Sequence, residues 1–304
     1  MKCYNSLNEY LKTKYGKKVY KLSISGNMTC PNRDGTIGTG GCIFCSAGGS
    51  GEFATDASLP VREQLELAKE KVKTKTKDNA FIAYFQPFSN TYADVGYLRR
   101  LFYEAIEPDY IVALSVATRP DCLDDKKIEL LAEINKIKSV SIELGLQTIH
   151  KSTADYVRRG YELEIYDNAV KKLKSNKIEV ITHVIIGLPF ETREMILKTV
   201  RYAGARTDGI KLQLLHVLKN TDLEKDYIDG KFEVLTLEEY IDLLCECVEA
   251  LPENVIIHRL TGDGDKKILV APLWSADKKR VLNEINREFE KRNIKQGRKF
   301  QNNT

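Results

Sequence analysis

The chain contains no apolar run approaching the ~20 residues that cross a bilayer, and its start, M-K-C-Y-N-S-L-N-E-Y, lacks the apolar stretch of a secretory signal. A cytoplasmic protein without membrane association is therefore expected. Internal repeats beyond an alternating βα pattern are missing, and so is any low-complexity segment. A paired cysteine set is missing too. There are seven cysteines, an odd number, and in a cytosolic-looking chain such residues point to metal or catalytic use rather than to disulfides. Cys245 and Cys247 lie in the helical pattern L-C-E-C-V-E-A-L and are read as packing residues, as is Cys122.

The chain has 304 residues, 42% of them hydrophobic and 30% charged. That suffices for one large α/β domain, or a domain of about 200–250 residues with an appendage. The net charge of +4 is unevenly placed. Residues 274–304 hold nine Lys/Arg (Lys278, Lys279, Arg280, Arg287, Lys291, Arg292, Lys295, Arg298, Lys299) against Asp277, Glu284, Glu288 and Glu290. The start sets Lys2, Lys12, Lys14, Lys17, Lys18 and Lys21 against Glu9. Basic ends suit an anionic partner such as nucleic acid; the plainer reading is a solvated helix face and a frayed tail.

Short β-rich runs alternate with helical stretches from residue 19 onward. Strands are predicted at 19–25, 80–85, 110–116, 139–145, 180–187 and 210–216, and helices at 61–75, 94–105, 124–135, 165–175 and 193–203. One helix between successive strands makes parallel βαβ units, and six right-handed units curl into a barrel or partial barrel. Runs such as V-I-T-H-V-I-I-G are nearly continuously apolar, as in buried parallel strands. After about residue 218 the alternation stops. A helix over 237–250, a strand over 255–260, a turn at T-G-D-G-D and an amphipathic basic helix over 276–292 make a small α+β extension. The expected division is a basic N-terminal segment (1–18), a core (19–218) and an extension (219–304).

The loop after the first strand reads N-M-T-C-P-N-R-D-G-T-I-G-T-G-G-C-I-F-C, a C-x11-C-x2-C spacing at Cys30, Cys42 and Cys45. Thiolates ligate iron–sulfur clusters, and three of them on a cubane leave one iron open, as a catalytic centre requires. Seven glycines between Gly35 and Gly51 suit a loop folded around a bulky inorganic core. The loop also follows a strand's C-terminal end, where parallel barrels carry their sites. The competing reading is zinc, which needs a fourth ligand; no Cys or His follows at finger spacing.

With these features the sequence resembles the radical S-adenosylmethionine superfamily. It is similar to the branch holding the YhcC/YtqA-type proteins and, more distantly, the Elongator catalytic subunit. The cysteine loop carries the resemblance, with Y-F-Q-P-F-S-N-T-Y at 84–92, A-T-R-P-D at 117–121, E-L-G-L-Q-T at 143–148, V-R-R-G-Y at 157–161, H-V-I-I-G-L-P-F-E-T at 183–192 and L-L-H-V-L-K-N-T-D-L at 214–223. It covers nearly the whole chain, although the x11 spacing departs from the commonest x3. The Elongator protein's acetyltransferase domain is expected to have no counterpart here. The resemblance implies a partial (β/α)6 TIM-like barrel and a [4Fe-4S] cluster on Cys30, Cys42 and Cys45. The open iron would bind the amino and carboxylate groups of S-adenosylmethionine. One electron from a donor such as flavodoxin or ferredoxin would release a 5′-deoxyadenosyl radical. Without a second cysteine trio, a single cluster is expected.

Roles carried over residue by residue fall at strand ends. Gln86 stands where many relatives have a G-G-E-like motif facing the methionine amino group, or else it caps a turn. Ser115 lies where that amino group can be faced. Glu143 is either a site carboxylate or half of a structural salt bridge, since an unpaired carboxylate leaving a buried strand is costly. Gln147 resembles a ribose-binding residue. Arg159 matches the position pairing with the methionine carboxylate, with Arg158 as alternative. Arg119 and Asp121 form an ion pair at the site floor or a purely structural one. His183 replaces a ribose-binding acid, or it packs. Ile185 and Gly187 resemble adenine-facing backbone, and Phe44 either stacks near adenine or shields the cluster. His216 and Lys219, at the barrel mouth, are candidates for holding substrate or moving protons. The implied substrate is tRNA, at a modified wobble uridine. Tyr4, Tyr10, Tyr15 and Tyr20, interleaved with lysines, either stack bases or pack. The alternatives are a radical enzyme acting on a small molecule or protein, and a zinc-stabilised nucleic-acid-binding module.

Overall fold

The structure, a computed structural model, describes residues 3–49, 51, 54–76, 78–262 and 264–300; Lys2 and Asp263, named above, lie outside them. Its frame is a parallel sheet whose strands pair in chain order: β1 (Tyr20–Ile24), β2 (Phe81–Phe85), β3 (Ile111–Thr118), β4 (Ser139–Gln147), β5 (Glu179–Ile186) and β6 (Gly209–Leu214). A seventh strand, β8 (Ile256–Arg259), adds to β6, again in parallel. A separate two-stranded antiparallel sheet pairs β7 (Val217–Leu218) with β9 (Leu269–Ala271). This is the α/β partial barrel expected from the alternation, enlarged by one strand. The extension is thus built into the sheet instead of standing beside it.

The crossover helices are α2 (Val61–Glu70), α3 (Val95–Ile106), α4 (Asp125–Asn135), α6 (Leu163–Ser175) and α7 (Arg193–Gly204), with α5 (Lys151–Tyr156) and α8 (Asp222–Ile228) in the loops after β4 and β7. Side-chain oxygens start several of them. Asp94, Asp124 and Thr192 accept the free backbone N–H groups of the first turns of α3, α4 and α7. In α9 (Leu237–Ala250), Thr236 and Glu239 form a reciprocal capping box.

Strand side chains alternate between two faces. The outer face is apolar: Leu22, Phe85, Leu114, Ile142, Val184 and Leu212 pack against the helices in one core. The inner face carries Lys21, Tyr84, Ser115, Glu143, His183 and Lys211, which hydrogen-bond to one another. The strands that read as continuously apolar therefore enclose a polar interior.

The N-terminal segment holds a helix that sequence periodicity did not reveal, α1 (Leu7–Tyr15), capped by Ser6 and ended by Gly16 in the left-handed region. Its one buried residue, Leu11, packs with Val19, Ala80, Ile82 and Ala113 and closes the N-terminal end of the barrel. The tyrosines proposed for base stacking make internal contacts here. Tyr10 bonds Glu179, Tyr4 meets Phe289 edge-on at 6.0 Å, Tyr20 donates to the Lys75 carbonyl at 2.9 Å, and Tyr15 packs in the cluster around Leu11. The basic helix α10 (Lys278–Lys291) and the residues after it are largely neutralised. Arg287, Lys291, Arg292, Lys295, Arg298 and Lys299 all pair with acids, and Lys278, Lys279 and Arg280 stay exposed. Among the described residues no helix is long and apolar enough to cross a membrane.

Candidate active site

The strands' C-terminal ends open into a cavity of about 240 Å³. Cys30, Cys42 and Cys45 line its mouth. Hydrogen bonds within the loop hold its shape, and Asn32 ties it to the rest of the chain. The Cys45 N–H bonds the Cys42 carbonyl at 2.9 Å, and Arg33 Nη2 donates to the carbonyls of Cys45 at 3.0 Å and Ser46 at 2.6 Å. Asn32 Nδ2 donates to Cys42 Sγ at 3.6 Å and to the Arg158 carbonyl at 2.5 Å. Gly49 is required: its φ is +61°, and a Cβ there would lie 2.4 Å from the Phe88 ring. Burial, with Cys45 beside it, pushes the Cys42 thiol up to about 12.

Among the described residues no three Cys, His, Asp or Glu side chains group as ligands of one metal ion. A cubane offers a different iron to each thiolate, so its ligands need not meet at a point. The surroundings fit such a group and a nucleoside beside it. Arg33 and Arg119 line the same cavity as the three thiols and bring positive charge to it. Gln147 Oε1 is buried with no hydrogen-bond partner among the described residues, on a residue at φ +66° in the cavity wall. An acceptor left unsatisfied there is costly unless a ligand supplies the donor.

Phe44, Gln86, Glu143, Gln147, Arg159, His183, Ile185 and His216 also line the cavity. Ser115 does not. It is buried beneath the cavity and donates to Glu143 at 3.0 Å, so its hydroxyl proton is already used. Lys219 lies outside the lining, exposed after β7, with its backbone N–H on the Ile268 carbonyl at 2.7 Å. Arg159 is buried and all its nitrogens donate to backbone carbonyls: Leu146, Thr148 and Tyr161. It pins the loops after β4 and keeps only one of its five N–H groups, on Nη2, too few for bidentate carboxylate recognition. Arg158 pairs instead with Asp222 at 2.6 Å on the surface. Arg119 and Asp121 do form an ion pair, a two-pronged one at 2.9 and 2.7 Å, and Arg119 Nη1 donates to the Arg159 carbonyl at 2.7 Å.

Glu143 is fully buried and takes donors from five strands. Oε1 accepts from Lys21 Nζ and Ser115; Oε2 accepts from Tyr84 OH at 2.9 Å, His183 Nε2 at 2.7 Å and Lys211 Nζ. A carboxylate has about four lone-pair sites, so none remains for a cofactor's ammonium. Of the two readings of Glu143, the salt bridge is the one the geometry supports. Burial alone would raise its pKa, but Lys21, Lys211 and His183 hold it well below the usual carboxylate range. Burial drives His183 down to about 4 and Lys211 down to about 7, against the opposing pull of Glu143.

Sequence reasoning missed Tyr84, Lys211, Gln213 and Arg259, which line the cavity, and Lys21 beneath it. The available signal was the polar residue at every second position, as in I-K-L-Q-L of β6. It also missed the loop that packs on His216. A Cβ at Gly262 would come within 2.4 Å of that imidazole, so the extension shapes the barrel mouth.

Residues 33–203 match the radical SAM superfamily model, and residues 207–291 match the Radical_SAM C-terminal domain. The chain belongs to the radical S-adenosylmethionine superfamily, whose members bind a [4Fe-4S] cluster and S-adenosylmethionine. It is 43% identical to the Bacillus subtilis protein YtqA over 99% of this chain and 94% of that one. It is also 27% identical to a tRNA uridine(34) acetyltransferase of Methanocaldococcus jannaschii, over 52% of this chain and 30% of that protein. The structure of Elp3 from Methanocaldococcus infernus superposes with a TM-score of 0.69 at 18% identity, covering 91% of this chain and 64% of that one.

Two outcomes follow for the floor. Glu143→Gln leaves Lys21 and Lys211 buried around a neutral amide and should lower the unfolding free energy by about 3–5 kcal/mol in urea titrations, against about 1 kcal/mol for Ser115→Ala. Equal losses would contradict the hub. His183 stays neutral in the fold down to about 4, while an unfolded histidine takes its proton near 6.5. Its contribution is complete above 6.5 and is lost as pH falls toward 4. Over that window His183→Gln should lose less stability than the wild type; parallel losses would refute the assignment.

Proposed function

We propose that this protein modifies tRNA at a wobble uridine by radical chemistry, drawing one electron from an external donor such as flavodoxin or ferredoxin. The observation that carries the radical reading is the cysteine trio at the mouth of a partial barrel, beside a cavity with an unsatisfied acceptor on Gln147. In support of tRNA stands the likeness to a relative named for tRNA uridine(34). Lys278, Lys279 and Arg280, exposed at the start of α10, are the tail's candidates for phosphate contacts.

Cys30, Cys42 and Cys45 would hold the cluster, with Arg33 and Arg119 offsetting its negative charge. A cluster held there, together with S-adenosylmethionine, would supply radical chemistry, the removal of a hydrogen atom from the substrate. Gln147 Oε1 would accept from a ribose hydroxyl, Phe44 and Ile185 would give apolar walls to adenine, and Gln86 would face the methionine end. With Nε2–H donating to Glu143, neutral His183 turns Nδ1 into an acceptor. His216, held against the loop at Gly262, would face the substrate at the mouth. We place the catalytic core in residues 19–218, completed by residues 219–304 through β8 and that loop.

The test is 5′-deoxyadenosine formation by protein purified without oxygen, reconstituted with iron and sulfide, and given dithionite and S-adenosylmethionine. Total tRNA should raise the yield, ribonuclease should remove that gain, and Cys42→Ala should abolish product. Stimulation by a ribonuclease-treated small-molecule extract, with none from tRNA, would overturn the tRNA assignment and favour a small substrate.

A further inference from the structure

Lys211 is 4% exposed, yet it lines the cavity. Its ammonium has three N–H groups. One goes to Glu143 Oε2 and one to Tyr84 OH at 3.1 Å; among the described residues the third has no acceptor. Gln213, two residues on and on the same face, also lines the cavity, and its side chain bonds through Oε1, which accepts from Arg259 Nη1 at 3.5 Å. The side-chain amide hydrogens of Gln213 are left to donate.

The groups around Lys211 come from every strand of the barrel: Lys21, Tyr84, Ser115, Glu143, His183 and, from β8, His258 and Arg259. Lys21 and Lys211 share the single carboxylate of Glu143, while His183 is neutral. Glu143 cannot balance both ammonium groups, and burial draws the pKa of Lys211 down to about 7, so an anion beside Nζ would stabilise its charged form. A neutral hydroxyl would satisfy the spare N–H but not the charge. An anion would do both, through a charge-assisted bond of roughly twice the strength of a neutral one.

We propose that Lys211 and Gln213 form the seat for an anionic group of the substrate, a carboxylate or a phosphate, at the floor of the cavity. The assignment rests on the catalytic reading of this cavity, but its test needs neither turnover nor tRNA. The buried seat fixes the end of the substrate opposite the cysteine loop, and a neutral analogue would leave the ammonium uncompensated.

The experiment measures the thermal midpoint of the full chain at matched ionic strength in sodium acetate, inorganic phosphate, acetamide and chloride. At several times the dissociation constant, acetate or phosphate should raise the midpoint by about 2 °C over chloride, and acetamide should not. A larger effect of acetate assigns a carboxylate, and a larger effect of phosphate assigns a phosphate. The gain should vanish in Lys211→Met, with Lys211→Gln as the second variant should the first not fold. Equal shifts with acetamide, or a gain retained in the variant, would overturn the seat. Repeating the scan on reconstituted protein with S-adenosylmethionine separates the sources. A persisting shift leaves the seat for the substrate, whereas its loss assigns the seat to the cosubstrate's own carboxylate and overturns the proposal. Failure here leaves the tRNA reading to the 5′-deoxyadenosine assay.

Discussion

The interior of this barrel depends on one carboxylate. Glu143, on the central strand β4, accepts from Lys21 on β1, Tyr84 on β2, Ser115 on β3, His183 on β5 and Lys211 on β6. An apolar interior would need side chains to fill it. This one needs charge balance, since each buried ion is costly alone and tolerable only while the others hold position. The constraint fixes rotamers on all six strands at one level. Below that level α1 closes the barrel, and above it the cavity opens.

The mouth is organised differently. There the cysteine loop is held by backbone carbonyls, by Asn32 and Arg33, and by the close contact of Gly49 with Phe88. Arg159 and Arg119 spend their donors on neighbouring loops and on Asp121. These two arginines are therefore a scaffold for the loops that form the cavity. The third element is the extension, which supplies a seventh strand and brings Gly262 and Gly264 against His216. The site spans both matched segments of the chain.

Much of this was legible in the sequence. Parallel strands and their crossover helices announce themselves by their alternation, so those from 20 to 214 lie where the pattern puts them, within a few residues at their ends, while the short α5 has no such signal. The cysteine loop follows the first strand, and the structure has it at that strand's C-terminal end. What stayed hidden has physical reasons. The α1 helix buries a single leucine, too little for a periodic signal. For Ser115 the family resemblance points to a ligand, and for Glu143 the sequence leaves a site carboxylate and a salt bridge both open. Their partners Lys21 and Lys211 come from opposite ends of the core, and no local pattern joins them. The basic tail looked like a nucleic-acid surface because its acids, Asp242, Glu249 and Glu253, belong to other segments.

The central claim is that Cys30, Cys42 and Cys45 hold a four-iron cluster with one iron open to S-adenosylmethionine. The most direct measurement is iron and sulfide content with electron paramagnetic resonance of the dithionite-reduced protein, before and after S-adenosylmethionine is added. The account predicts about four irons and four sulfides per chain, the composition of a [4Fe-4S] cubane, and a reduced-cluster signal that shifts on addition. A bound zinc without a cluster, or a cluster whose signal ignores S-adenosylmethionine, would contradict it.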